Sequence, residues 1–94
     1  MAKSFQLRYN KYMNLSKNQA QTIGKAIGID FTVVKFEEFY QGMLIELEHG
    51  LRDPATNVTN DDLTMTAKIA WAHLKEIPDY YTRLEKMEAE AEAK

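Results

Sequence analysis

Apolar residues recur at intervals of three and four after Ser16, which is the spacing of an amphipathic helix. In the first such segment they are Ala20, Ile23, Ala26 and Ile27. Ser16 begins a capping box, because Gln19 stands at the position whose side chain reaches back to the cap. We expect this first helix to end at Gly28.

A second helix is expected after Asp30, whose side chain would cap it. Its apolar stripe comprises Phe36, Phe39 or Tyr40, Met43 and Leu47. Gly50 would end the helix in the left-handed conformation. Gly42 inside the helix costs about 1 kcal/mol relative to alanine, so we expect it to allow another backbone to approach closely.

Turn-forming residues predict a loop over 51–60, and Thr59 or Asn60 should cap a third helix after it. Asp61 and Asp62 then fall in the first turn, where carboxylates oppose the helix dipole. Pro78 should end the third helix and lie in the first turn of a fourth. The apolar faces of these two helices comprise Leu63, Ala67, Ala70 and Leu74, then Tyr81, Leu84 and Met87. The Glu and Ala residues of 88–94 predict a frayed or solvated end.

These segments predict an all-α fold, a compact bundle of about four helices over residues 16–90 that follows an N-terminal arm of residues 1–15. With 94 residues the chain forms one small domain, which favours self-association as a homo-oligomer. The absence of cysteine excludes disulfides and thiolate zinc sites. Because the chain has neither an apolar run of roughly 20 residues nor the apolar core of a signal peptide, we predict a cytoplasmic protein without a membrane contact.

Charge divides the chain after Ile29. Five basic residues and no acid lie up to that point, whereas fourteen acids and seven bases follow it, a net charge of −7. The basic arm could dock on its own body, contact a second subunit, touch nucleic acid or be a solvated tail. The strand-like alternation of Phe5, Leu7 and Tyr9 would need a partner edge. The residues suited to partner or nucleic-acid contact are Lys3, Arg8, Tyr9, Lys11 and Tyr12. The acidic body makes the nucleic-acid alternative the weaker one.

Two motifs pair a histidine with a glutamate three residues away, Glu46 with His49 and His73 with Glu76. Such pairs bind iron or manganese in four-helix bundles, but those sites also need a glutamate from each remaining helix. The first helix has no acid. If the second and third helices run antiparallel, the two histidines lie at opposite ends, because Asp61 to His73 spans about 18 Å. We therefore predict no metal centre and no cofactor.

The two ends carry separate candidate sites. The first comprises His49, Asp53, Asn57, Asp61 and Asp62, and the second comprises His73, Glu76, Asp79, Tyr80 and Tyr81. At the first end, Asx turns and helix caps account for the polar residues, and a cation or small-ligand pocket is the alternative. At the second end, a buried His73 bonded to a carboxylate or a tyrosine would fix the proline corner, and ligand binding is the alternative.

The order of these motifs resembles a known family. The stretches E-L-E-H-G, D-P-A-T-N-V-T-N-D-D and T-A-K-I-A-W-A-H-L-K-E-I-P-D-Y-Y-T-R-L are similar to DUF5661, a small domain of unknown function found in bacteria and their phages. The similarity runs from about Ser16 to Glu88 and leaves out the basic arm. It implies a compact helical domain with a phage association, and it implies no activity and no functional residues.

Catalysis has little support in the sequence. Ser4 and Ser16 are the only serines, Ser16 is explained as a cap, and no glycine-rich phosphate loop is present. We predict no enzymatic activity. The first hypothesis is a small interaction module that acts through protein contacts, for example by inhibiting a host factor. The alternatives are a metal- or small-ligand-binding domain at the histidine and carboxylate clusters, and nucleic-acid contact through the arm.

Overall fold

The computed structural model describes residues 15–93. Within that range the chain forms four α-helices, which are α1 (Lys17–Ala26), α2 (Phe36–Glu46), α3 (Leu63–Glu76) and α4 (Tyr80–Glu92). A short 3-10 helix, Leu47–His49, continues α2. Residues 15–93 contain no β-strand, so the predicted all-α fold of four helices is confirmed. The predicted arm lies outside the described residues except for Leu15.

The helix α2 is the centre of the packing, because it contacts each of the other three helices. Its predicted apolar stripe is confirmed, with Phe39, Met43 and Leu47 buried in the core. Ala67, Ala70 and Leu74 of α3 are buried as predicted, and so is Tyr81 of α4. Met87 is not part of the core, because 53% of its surface is exposed. None of the helices in the described range is both long and apolar enough to cross a membrane.

The start of α1 follows the predicted capping box. The Ser16 hydroxyl accepts from the Gln19 N–H at 3.0 Å, and the Ser16 N–H donates to the Gln19 side chain at 2.8 Å. The helix ends at a cap residue, Ile27, and the next residue, Gly28, has a φ of 102°. Because L-residues with a side chain rarely adopt that conformation, glycine is required there.

The predicted cap of α2 is wrong. The Asp30 carboxylate accepts from the backbone N–H of Thr32 at 2.9 Å and from its hydroxyl at 2.6 Å, which closes an Asx turn. The Asp30 carboxylate therefore bonds the residue two positions later and does not cap α2. The helix begins only at Phe36, after Lys35, which makes no side-chain capping bond.

Two glycines behave differently from the prediction. Gly50 has φ −107° and ψ −145°, so it is not a left-handed cap. Glycine is needed there because a Cβ would lie 1.9 Å from the Asp61 carboxylate. At Gly42, a Cβ would lie 2.4 Å from the Tyr81 ring, so the neighbour that approaches closely is a side chain and not a backbone.

The cap of α3 lies later than predicted. Asp62 caps the helix by accepting from the Met65 N–H at 2.8 Å, whereas Thr59 accepts from the Asp61 N–H. Asn60 and Asp61 have φ values of 53° and 63°, which turn the chain before the helix begins. At the other end, α3 stops at Glu76. Pro78 lies in the three-residue corner 77–79, before the first turn of α4 rather than in it.

Candidate functional site

The carboxylate of Glu46 is the meeting point of the two histidines. Glu46 ends α2 and only 5% of its surface is exposed. Its Oε2 lies 3.1 Å from His73 Nδ1, and its Oε1 lies 3.9 Å from His49 Nε2. Tyr81 adds a hydrogen bond of 2.6 Å from its hydroxyl to Glu46 Oε2. We call Glu46, His73 and Tyr81 the Glu46 cluster.

This geometry corrects the prediction that the histidines lie at opposite ends of the bundle. Both rings approach one carboxylate within a single chain, His73 at hydrogen-bond distance and His49 further off. Periodicity identifies the buried face of each helix, but it does not give the angle at which two helices cross or their relative offset. The predicted separation assumed that the second and third helices run antiparallel.

Counting protons in the Glu46 cluster assigns the tautomer of His73. The Tyr81 hydroxyl has one proton, which it donates to Glu46. His73 Nδ1 lies 2.8 Å from the same hydroxyl and therefore must itself carry a proton to make that bond. Neutral His73 then keeps its lone pair on Nε2. Burial, reinforced by Glu46, raises the pKa of Tyr81, so the phenol stays protonated at neutral pH.

The cluster attaches the corner of α3 and α4 to α2. The Tyr80 ring stacks on His73 with 4.4 Å between ring centroids, and the Tyr81 ring meets His73 edge-on. Glu38, in the first turn of α2, accepts from the Tyr81 N–H at 3.1 Å and from the Thr82 hydroxyl. His73 is thus bonded to both a carboxylate and a tyrosine, as the structural interpretation expected, but its side chain is 35% exposed and so is not buried.

The other candidates at this end lie apart from the cluster. Glu76 is exposed on α3. Asp79 forms an ion pair of 2.7 Å with Arg83, and that contact lowers the pKa of Asp79. Residues 15–93 contain no group of three or more His, Asp or Glu side chains placed to hold one metal ion. Ligand binding by these residues stays a prediction.

The polar residues of the loop before α3 serve mainly as turns and caps. Asp53 accepts from the Ala55 N–H at 3.0 Å, and Asn57 accepts from the Asn60 N–H at 2.8 Å. Asp61 accepts from the Leu51 N–H at 2.8 Å, which ties the two ends of the loop together. The His49 carbonyl accepts from the Val58 N–H at 2.6 Å, so the backbone of His49 lies against this loop, while its ring Nε2 lies 3.9 Å from Glu46 Oε1.

A groove that the sequence analysis did not identify lies on the other side of the corner. Its volume is about 750 Å³, and it runs between the turn before α2 and the corner of α3 and α4. Its apolar lining comprises Val33, Val34, Trp71, Leu74 and Pro78, and its charged lining comprises Asp30, Lys35, Glu38, Lys75 and Asp79. We call it the Trp71 groove. Asp79 is the only residue of the groove lining among the predicted site residues.

The charged groups of the groove have defined positions. Lys75 lies one turn after Trp71 on α3, and its ammonium is 4.2 Å from the centroid of the indole ring. Hydrogen bonds from the Thr32 side chain and backbone lower the pKa of Asp30. The sequence contained one signal for this site, the apolar pair Val33-Val34 in a segment otherwise read as part of a helix. Val33 is 77% exposed and belongs to no core.

The fold and the site define a small all-α domain with a buried polar cluster under one corner and an apolar, charge-rimmed groove beside it. The sequence pattern of DUF5661, a protein of unknown function, matches residues 20–90. The chain belongs to that family. Searches of curated proteins and of solved structures found no match.

Proposed function

We propose that this domain is a protein-interaction module that binds a polypeptide segment of a partner in the Trp71 groove. The observation that carries the proposal is the groove itself, with a volume of about 750 Å³ and a lining that combines apolar and charged residues. Ligand sites in proteins typically have volumes of about 300–1,000 Å³.

The composition of the groove supports a polypeptide partner. Protein interfaces combine an apolar centre with a polar rim, and tryptophan is enriched among the residues that dominate binding energy. Trp71, Leu74 and Pro78 supply such a centre, and the lysines and carboxylates supply the rim. Val33 extends the apolar surface to the edge of the groove, where 77% of its surface is exposed.

The Glu46 cluster helps to fix the positions of residues that line the groove. Tyr81 binds Glu46 through its hydroxyl and Glu38 through its N–H, and Thr82 binds Glu38 from the next position. Glu38 and Thr82 also line the groove. A site held on helices in this way needs little rearrangement to bind, which lowers the entropic cost of association.

The test is NMR of the ¹⁵N-labelled domain with separate pools of short apolar, acidic and basic peptides. We expect at least one pool to shift the signals of Gly28, Trp71 and Thr82, which line the groove. The Val33→Asp variant should lose those shifts because it places a charge on the apolar edge. Val58→Asp is the matched control, since Val58 is equally open, with 71% exposed, and is not in the groove lining.

Two results would contradict the proposal. In the first, no pool shifts any groove signal at millimolar peptide. In the second, Val58→Asp abolishes the shifts as completely as Val33→Asp does.

The remaining predictions belong to this proposal as well. A phage association, inhibition of a host factor, a cytoplasmic location and a homo-oligomeric state are consistent with a small interaction module. Light scattering at high protein concentration tests the last of these, and a strict monomer would remove it. Nucleic-acid contact by the arm remains an alternative, and it predicts a steep salt dependence of binding.

A further inference from the structure

The ammonium of Lys75 lies over the face of Trp71 inside the groove, 4.2 Å from the ring centroid. A cation in that position is attracted by the negative face of the indole ring. We infer that the Trp71 face is a seat for a cationic side chain. Lys75 occupies it in the unbound protein, and an arginine or lysine of the partner takes it in the complex. This inference rests on the proposed function and names the chemistry of its partner.

The surroundings of the indole suit a long basic side chain. Leu74 and Pro78 line the same groove as Trp71. The aliphatic stem of an arginine or lysine can pack on such apolar groups while its charged end lies over the ring. Trp71 is itself only partly buried, so its face can be reached once Lys75 moves aside.

Two carboxylates of the groove are bonded by neutral donors. Asp30 accepts from the backbone and hydroxyl of Thr32, and Glu38 accepts from the Tyr81 N–H and the Thr82 hydroxyl. These bonds hold the carboxylates in place without cancelling their charge. Asp79, by contrast, is paired with Arg83. Lys35 and Lys75 also line the groove, so the two remaining carboxylates, Asp30 and Glu38, are matched in number by two ammonium groups.

The acidic part of the chain favours the same partner. From Asp30 onward the sequence has fourteen aspartates and glutamates against seven lysines and arginines, and the five basic residues before Asp30 bring the formal net charge of the whole chain to −2. A field of this sign speeds the approach of a basic segment and disfavours an acidic one. The proposed occupant is therefore a segment of a partner protein that carries basic residues beside an apolar anchor.

Trp71 makes the test direct, because it is the only tryptophan of the chain and its fluorescence reports on the groove alone. The full chain is titrated with two short peptides of alternating leucine and basic positions. One peptide has arginine at the basic positions, and the other has citrulline, which keeps the shape and removes the charge. We expect saturable quenching or shifting of the fluorescence by the arginine peptide, and a weaker affinity for the citrulline peptide.

A pair of lysine variants separates a seat on Trp71 from a general charge effect. Lys75→Ala removes the internal occupant and should tighten binding of the arginine peptide by about 2- to 5-fold. Lys68→Ala removes the same charge from an exposed position of α3 outside the groove lining and should change the affinity by less. Neither variant should improve binding of the citrulline peptide.

Each contrary outcome identifies what has failed. Equal gains in Lys75→Ala and Lys68→Ala, or equal affinities for the two peptides, overturn the cation seat. If neither peptide binds but acidic or apolar pools still shift the groove signals in the NMR test, this inference fails and the proposed function stands. If no peptide of any kind reaches the groove, both fail.

Discussion

The two sides of the corner between α3 and α4 use polar groups in opposite ways. In the Glu46 cluster, the carboxylate, the phenol and the imidazole bond one another. In the Trp71 groove, the carboxylates and lysines stand around an apolar surface that is open at Val33. Two of the residues that the sequence singled out as a candidate site, His73 and Tyr81, lie in the Glu46 cluster.

This difference shows why residue type alone is a poor guide to a site. A histidine beside a glutamate suggests metal or acid–base chemistry, but His73 uses its Nδ1 to bond Glu46 and Tyr81. Buried polar groups of this kind are costly when they lack partners and specify one arrangement when they have them. The cluster gives the corner a fixed position, and the groove next to it depends on that position.

The largest expected effect comes from Tyr81, which is 2% exposed. Tyr81→Ala should lower the free energy of unfolding by about 3–5 kcal/mol, because it removes a buried ring. Tyr81→Phe keeps the ring but leaves Glu46 without its phenol partner, and should cost about 1–3 kcal/mol. Urea denaturation measures both. Equal stability of Tyr81→Phe and the wild type would show that the hydrogen bond to Glu46 contributes nothing.

Gly42→Ala should also destabilise the domain, although alanine is the better helix former by about 1 kcal/mol. The added Cβ would lie 2.4 Å from the Tyr81 ring, and such overpacking typically costs about 1–3 kcal/mol. The matched control is the double variant with Tyr81→Ala, which removes the obstructing ring. The two losses should then be less than additive. Strict additivity in urea denaturation would mean that the two residues do not press on each other.

Alkaline pH should lower the stability that the Glu46 cluster contributes to the fold. The pKa of Tyr81 is raised in the folded state above its ordinary value of 10.0, chiefly by burial and then by Glu46. The unfolded chain therefore loses the phenolic proton first. The stability contributed by Tyr81 is fully present below pH 10 and falls above it by up to about 1.4 kcal/mol per pH unit.

Unfolding in urea at several values between neutral and strongly alkaline pH gives this slope, and Tyr81→Phe serves as the control because it lacks the phenol. The wild type should lose more stability than Tyr81→Phe as pH rises. Parallel curves for the two proteins would contradict a phenol held protonated by the fold.

The smallest effect on stability is expected from a substitution in the Trp71 groove. Val33→Asp should change the free energy of unfolding by less than about 0.5 kcal/mol, as exposed substitutions usually do, and yet it should abolish peptide binding. Thermal and urea unfolding beside a peptide titration measures both properties. A loss of stability comparable to that of Tyr81→Phe would show that Val33 belongs to the core.

Much of the fold could be predicted because local rules decide it. The box of Ser16 and Gln19, the end of α1 at Gly28 and the buried faces of α2 and α3 follow from short-range spacing. The errors arose where two local rules compete. Asp30 could cap a helix or close an Asx turn, and its hydrogen bonds to Thr32 decide for the turn.

The site was less predictable, because it depends on how helices cross. The partners of His73 are Glu46 and Tyr81, which lie 27 and 8 positions away in the chain, and their meeting depends on the relative placement of three helices. The bonding of His73 to a carboxylate or a tyrosine was predicted, and so was the pairing of Glu46 with His49, but the approach of both histidines to the Glu46 carboxylate was not. The groove involves Val33 and Trp71 from separate elements, and no motif connects them.

One measurement tests the contrast between the two sides most directly. The ¹⁵N signals of the Trp71 indole and the His73 imidazole are followed in the same sample while a binding peptide pool is added. We expect the indole signal to shift and saturate, while the His73 signals keep their positions with the proton on Nδ1. Saturable shifts of the imidazole with an unchanged indole would place the binding site at the Glu46 cluster and contradict binding in the Trp71 groove.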